Sequence, residues 1–511
     1  MTNVTKMKKK FFLIYLLMAV AILPASARKY DLSRLPGTDL VEKYVTEFNF
    51  FDEEKYMQEY PNDEAVGFLC ANIPLFECPD KELEKTYYFR WWTYRKHIRN
   101  TPQGYVITEF LPDVPWAGMY NTISCPAAFH FNDGRWLHDG TYLSDYARFW
   151  VSPQAKPRSY SFPAADAIWG LYLVHRDVAL IQDVYEGLKN NYAAWEESHC
   201  DSTGLYWQID DRDGMEISVG GALNKDHSGY RPTINSYMYA DAMALSKMAR
   251  LLGKSTEEKL YRQKATEIKK GIDKWLWDDD ADFYKSIPRH ADMTVTPCRE
   301  EFGYVPFMYG IPGKDKLIAW EQLFDEQGFK APYGPTTVER RSPGFKIAYE
   351  GHECQWNGPS WPFATAQTLK GMAVSLHRYG EKVLTKERYL EVLTTFSNSQ
   401  RLDGHCFIDE NLNPFTGDWI ARTLLKQRGD KIPDRGKDYN HSSFVDQIIS
   451  GLIGIEADDK GRITVRPLVP DGSWDYYCLH NVQICGKNIT VVYDKDGTHY
   501  GVGKGLHIIE N

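Results

Sequence analysis

Residues 232–252 read PTINSYMYADAMALSKMARLL, and Gly253 and then Ser255-Thr256-Glu257-Glu258 follow. Ile234, Tyr237, Met238, Ala242, Leu245, Met248, Ala249 and Leu252 leave little wet face, so this stretch predicts a helix buried on most sides. Proline opens it and glycine stands just past its end, the asymmetry that helix boundaries prefer. The next segment, to about Trp275, is of another kind. Ser255 and Glu258 are spaced as a capping box. Glu257, Lys259, Arg262, Lys264, Glu267, Lys269 and Lys270 then leave only a stripe of Leu260, Tyr261, Ile268, Ile272 and Trp275 to bury. An inner helix followed by an outer one is a helical hairpin laid against a core.

The alternation recurs. Residues 163–175 are apolar and precede the mixed stretch 177–195; residues 358–379 are apolar and precede 386–398; residues 444–455 are apolar again. Gly-aromatic loops punctuate the pairs (Gly134-Arg135-Trp136, Gly204-Leu205-Tyr206-Trp207, Asp282-Phe283-Tyr284, Gly344-Phe345, Gly404-His405), about 60–80 residues apart. The periodicity predicts an all-α array of repeated hairpins over residues 28–455, of which 28–125 is the least regular part. After Ile455 the period shortens to two. Residues 462–466, 482–484 and 488–493 alternate, and Asp494-Lys495-Asp496-Gly497 reads as a hairpin turn. Residues 456–511 are therefore expected to form a small C-terminal β unit.

Lys6, Lys8, Lys9 and Lys10 precede the apolar run 11–23, which ends in Ala25-Ser26-Ala27, a small-x-small cleavage pattern. Residues 1–27 thus read as a secretory signal, too short to span a bilayer comfortably. The short lysine-rich leader suits a bacterium, and with it the periplasm. No later apolar stretch is long enough for a membrane helix. A net charge of −9 without a basic run argues against nucleic-acid binding. The nine cysteines are odd in number and lack CxxC spacing, so they form neither a disulfide framework nor a zinc site. Cys478 and Cys485 could pair across a hairpin, but buried free thiols are the favoured reading. Asp278-Asp279-Asp280-Ala281-Asp282 lacks the glycine and final glutamate of an EF-hand, and His352 and Glu353 have no matching ligand pair. Neither a metal nor a cofactor is expected.

Two turns carry chemistry. Asp213-Gly214-Met215-Glu216 and Asp409-Glu410-Asn411-Leu412-Asn413-Pro414-Phe415-Thr416-Gly417 each follow a Gly-aromatic loop and put a carboxylate on a constrained turn. Glycosidic bonds need such a pair, one acid to protonate the leaving oxygen and one carboxylate to activate water or attack. Aromatic residues make up 14% of the chain, with 15 Trp and 33 Tyr, and such rings stack on sugar faces or fill large cores. Trp207, Trp356 and Trp361 are candidate walls, Trp356 above all in its polar setting of Gln355 and Asn357. Arg231 and Asn235 flank the start of an inner helix, where they would bind sugar hydroxyls or the acid, or cap the helix. Residues 349–353 stand where they would line the pocket, and His441 reads as structural.

These segments resemble a family. Gln355-Trp356-Asn357-Gly358-Pro359-Ser360-Trp361-Pro362 is similar to the W-x-G-P-x-W run of glycoside hydrolase family 63 and its mannosylglycerate-hydrolase-like relatives. Residues 410–417 resemble that group's E-x-x-x-P-x-T-G loop, and Asp213-Gly214-Met215-Glu216 with Asn235-Ser236-Tyr237 resembles its acid loop and following helix. The match keeps one order along about residues 85–455. It implies an (α/α)6 toroid, a six-hairpin glycosidase-like barrel, that hydrolyses an α-linked glucoside or mannoside with inversion. Carried over, Glu216 is the general acid and Glu410 the general base. The family's acid is Asp where Glu216 stands, and its following S-P-R is replaced by Ile217-Ser218-Val219. Asp213, Asp210 and Asp211 are the alternative acids. A glycan-binding barrel without catalysis, and a polysaccharide lyase or glycoside phosphorylase on the same toroid, are the competing classes.

Overall fold

The computed structural model describes residues 32–510; the leader read at residues 1–27 lies outside them. Pro232–Leu251 is a helix with its proline in the first turn and three-quarters of its residues buried, and it packs along Ser255–Gly271, which buries only Tyr261, Ala265 and Ile268. The capping box between Ser255 and Glu258 is not formed. Gly253 takes φ +72° and the Lys254 amide bonds Ala249 O at 2.8 Å, so the next helix starts a residue early with Ser255 already inside it. The same contrast of buried and one-faced helices holds for Ala164–His175 with Val178–His199, and for Pro362–Tyr379 with Lys386–Ser399.

The buried helices touch one another in chain order. Ala127–Gly134 packs on Ala164–His175, that on Pro232–Leu251, that on Val305–Met308, that on Pro362–Tyr379, and that on the wide helical turn Gln447–Leu452. The series returns to its start. Asp133 accepts the amides of Phe444 (3.1 Å) and Asp446 (2.8 Å), and Asp446 in turn takes Arg135 (2.5 Å) and the Trp136 indole (2.9 Å). Two helices differ from expectation. Residues 358–361 stay outside the helix, with Ser360 bridged to Leu412 and Trp361 extended, because Pro362 takes the first helical position. The apolar run 444–455 widens over Gln447–Leu452, with Ile453 N bonded back five residues to Ile448 O.

The fold is not all helix. Tyr476–Ile484, Lys487–Asp494 and Gly505–Glu510 form an antiparallel sheet, and its fourth strand, Leu75–Glu77, comes from far upstream with Leu75 opposite His480. The tight hairpin turn is Cys485-Gly486, both at positive φ, with Ile484 opposite Lys487. Asp494–Gly497 instead opens the longer connection to the last strand, held by Gly497 N on Asp494 Oδ1. All nine cysteines are free; Cys485 turns its thiol to Leu173 O.

Candidate active site

Three chain segments far apart in sequence are stitched by backbone bonds. Trp356 N donates to Ile217 O at 3.0 Å, joining the loop of Glu216 to the Gln355–Pro362 run. Ser360 and Leu412 exchange two bonds of 2.9 Å, joining that run to the loop of Glu410. Glu216 and Glu410 therefore reach one cavity of about 250 Å³, walled by Trp356, Trp361, Phe363, Trp116, Tyr160 and Tyr439.

The Glu216 loop is held from behind. Asp213 and Arg231, both with almost no exposed side-chain surface, pair at 2.7 Å, and Thr233 donates to the same carboxylate oxygen. Arg231 also rests on Phe302 and marks the N-terminal boundary of the inner helix Pro232–Leu251. Between Asp213 and Glu216 the chain turns at Gly214 (φ +78°), where a Cβ would lie 2.6 Å from the Cys125 sulfur, so glycine is required on both counts. Replacing Arg231 by Met leaves the Asp213 carboxylate buried without its cation. The expected cost is about 3–5 kcal/mol, read as a lower denaturation midpoint, and Asp213→Asn placed on top should recover part of it.

The Glu410 loop is stiffened in a different way. Asn413 N bonds Asp418 O and Gly417 N bonds Asn413 O, while Gly417 (φ +77°) lets Tyr333 pass where a Cβ would collide. Asn411 ties the loop to Glu353 O (2.9 Å) and to the Ala421 amide (3.0 Å).

The two carboxyls sit in opposite surroundings. Glu216 accepts the Trp356 indole N–H at 3.0 Å, and Trp356 stacks on Trp361 with centroids 4.4 Å apart. Burial pushes Glu216 up to about 8; Asp211 and Glu410 add to the rise and the indole opposes it. Glu410, 1% exposed, takes the Arg435 guanidinium at 3.2 Å and the Cys354 thiol at 3.3 Å. Arg435 is held in turn by Glu353 at 2.8 Å. Neighbouring Asp409 is raised to about 7, by burial first and Glu410 second. One carboxyl thus keeps its proton at neutral pH while the other faces a fixed cation, the pattern by which acid and base roles separate. Because the indole favours the ionised form of Glu216, Trp356→Phe should move the alkaline limb of the activity profile to higher pH and lower kcat/KM about tenfold.

The remaining residues singled out from sequence divide. Trp356 and Trp361 line the cavity, and Trp361 donates to Gln355 O at 2.7 Å. Gln355 stands behind them, its amide tied to the carbonyls of Ala348, Glu350 and His352. Asn357 lies off the cavity, its carbonyl accepting Lys346 N. Asn235 is fully buried and pins Tyr206 N and O. Trp207 is sandwiched between His199 and Arg289, away from both carboxyls. Asp213 is absorbed in its ion pair, whereas Asp211 is at the cavity's edge. Glu109, Cys354, Arg435, Tyr439 and His441, which the sequence reading took as structural, are also in the lining. Glu109 follows the short hairpin 98–107, in the stretch where sequence periodicity is weakest, and Arg435 sits on a loop with no motif of its own.

Two carboxyls in contrasting settings within one aromatic-walled cavity are what hydrolysis of a glycosidic bond requires. Residues 119–442 match the model of the mannosylglycerate hydrolase MGH1-like glycoside hydrolase domain, and the chain belongs to that family. A solved structure named as a sialidase is 37% identical with a TM-score of 0.86; the match covers 93% of this chain but only 43% of that one, so this chain spans less than half its length. The GH63 mannosylglycerate hydrolase of Thermus thermophilus shares the fold at 15% identity and TM-score 0.50, over 67% of this chain and 98% of that one. A GH78 family rhamnosidase of Bacillus sp. GL1 does so at 12% and 0.53, over 82% and 40%.

Proposed function

We propose that the protein is an exported glycoside hydrolase that removes an α-linked glucoside or mannoside from oligosaccharides or glycans with inversion, on an (α/α)6 toroid. Glu216 gives its proton to the leaving oxygen, and Glu410 takes one from a water that attacks the opposite face of the sugar. The observation that carries the reading is the convergence of these two carboxyls, one raised to about 8 and indole-bound, the other guanidinium-bound, on one aromatic cavity. The closed succession of buried helices supports the six-hairpin toroid over residues 28–455, with residues 456–511 as an appended β unit. Export rests on the lysine-led apolar leader, and in a bacterium the destination is the periplasm. No helix of the described residues is long and apolar enough to cross a membrane.

The test is release of reducing sugar from a panel of α- and β-linked oligosaccharides, with the product anomer followed by NMR. Inversion requires carboxyls roughly 6.5–9.5 Å apart, enough to admit the water, and gives the β anomer from an α-linkage. An α product would mean a nucleophilic carboxylate and a retaining mechanism. Absence of turnover on every linkage would leave a glycan-binding barrel.

A further inference from the structure

The cavity holds a third buried carboxyl that neither the acid nor the base role uses. Glu109, 5% exposed, takes the Tyr439 hydroxyl on Oε1 and lines the cavity. Tyr439 is locked in place: its ring lies 3.8 Å from that of His441 and 4.7 Å from that of Phe110, and Asn440 N bonds Glu109 O. His441 lines the same cavity, is 3% exposed, and has a hydrogen-bond partner on neither ring nitrogen. Buried polar groups left without partners in a ligand cavity are groups whose partner is the ligand.

Resting on the hydrolase reading above, we propose that Glu109 and His441, set by Tyr439, grip the hydroxyls of the bound sugar, and that this sugar is uncharged. Burial raises Glu109 to about 8, with Glu410 and Glu216 adding to the rise and Tyr439 opposing it, so at neutral pH its carboxyl both donates and accepts. Burial also keeps the His441 ring neutral, with one donor and one acceptor nitrogen. A neutral polyol matches both groups.

A carboxylated sugar does not. Such ligands are held by guanidinium groups free to fork onto the carboxylate. The cavity carries two guanidiniums against the carboxyls of Glu109, Asp211, Glu216, Glu353 and Glu410. Arg435 is engaged by Glu353 and Glu410, whereas Arg212, exposed at the rim, meets Asp211 through Nε at 3.1 Å and lies over Tyr160. A carboxylated sugar brought to the interior would meet Glu109, Glu216 and Glu410, with Arg435 already shared between two acids and Arg212 out at the exposed rim beside Asp211.

The indoles of Trp356 and Trp361 supply the readout. Wild type, Glu109→Leu, Glu109→Gln and His441→Phe are titrated by tryptophan fluorescence with D-glucose, D-mannose, D-galactose and L-rhamnose, and with D-glucuronic and N-acetylneuraminic acids. At least one neutral sugar should saturate wild type, and neither acid should. That sugar should bind about tenfold or more weakly to Glu109→Leu and His441→Phe, with melting temperatures held. Glu109→Gln, which keeps a carbonyl for Tyr439 and a polar arm, should stay within a few-fold of wild type. An acid binding as tightly as any neutral sugar, no neutral sugar binding, or wild-type affinity in His441→Phe would overturn the proposal. Should Glu109→Leu fail to fold, His441→Phe and the charge preference decide it. Hydrolysis is assayed apart: a grip that depends on His441, with turnover persisting in Glu216→Gln and Glu410→Gln, keeps this inference and removes the acid–base assignment.

Discussion

Glu410→Gln is expected to lower kcat/KM on the hydrolysed glycoside by on the order of 10²–10⁴-fold while KM stays within a few-fold. The amide keeps the size of the carboxyl, its one carbonyl oxygen still accepts from Arg435, and its NH2 faces the Cys354 sulfur, so the shape of the pocket is preserved; what it loses is the ability to take a proton from water. Small anions that attack without giving up a proton separate this loss from a structural one. Azide should restore turnover in Glu410→Gln as a glycosyl azide of inverted configuration, and should do nothing for Glu216→Gln. Product analysis by NMR and mass spectrometry reads both. Activity near wild type in Glu410→Gln would move the base elsewhere. Asp409 is the neighbour to test next, buried beside Glu410 and 4.0 Å from Arg422.

How much of this was legible depended on what each part owes to local pattern. The inner and outer helices were readable because a buried helix such as Pro232–Leu251 and a one-faced helix such as Ser255–Gly271 differ in composition at every turn. Their ends were less so: Gly253 and Lys254 settle the start of the second helix by backbone bonding, and the sequence pattern of Ser255 and Glu258 was overridden. The β part was visible as alternation after Ile455. Its pairing with Leu75–Glu77 was not, since three residues about 400 positions upstream carry no period.

In the cavity, residues announced by motif split by what surrounds them. Trp356 and Trp361 face the carboxyls, but Arg231, Asn235 and Gln355, equally polar and equally near in sequence, are spent on holding loops. A side chain's identity fixes what it can bond, and only the fold says whether a backbone carbonyl or a ligand is the nearer partner. Glu109 and Tyr439 stand 330 positions apart and meet only through tertiary packing.

Glu216→Gln should cut kcat/KM by a similar order, about 10²–10⁴-fold, but in proportion to the leaving group. Protonation matters most for a sugar alkoxide and hardly at all for fluoride. The variant should therefore hydrolyse a glycosyl fluoride at close to the wild-type rate and fail on an oligosaccharide. The pH profile supplies the second signature. An acid catalyst works in its protonated form, and Glu216 is raised to about 8, so wild-type kcat/KM should hold through neutral pH and fall as pH passes about 8. In Glu216→Gln that alkaline limb should disappear, leaving residual activity flat on that side. The cause of the raised value makes the sign testable too: burial comes first, and Asp211 next among the charges. Asp211→Asn removes one neighbouring negative charge, which lowers the Glu216 value and draws the limb toward neutral pH. A limb that stayed in place in Glu216→Gln would assign the titrating acid to another group. Glu109, also raised to about 8 in the same cavity, is the one that would have to be separated from it.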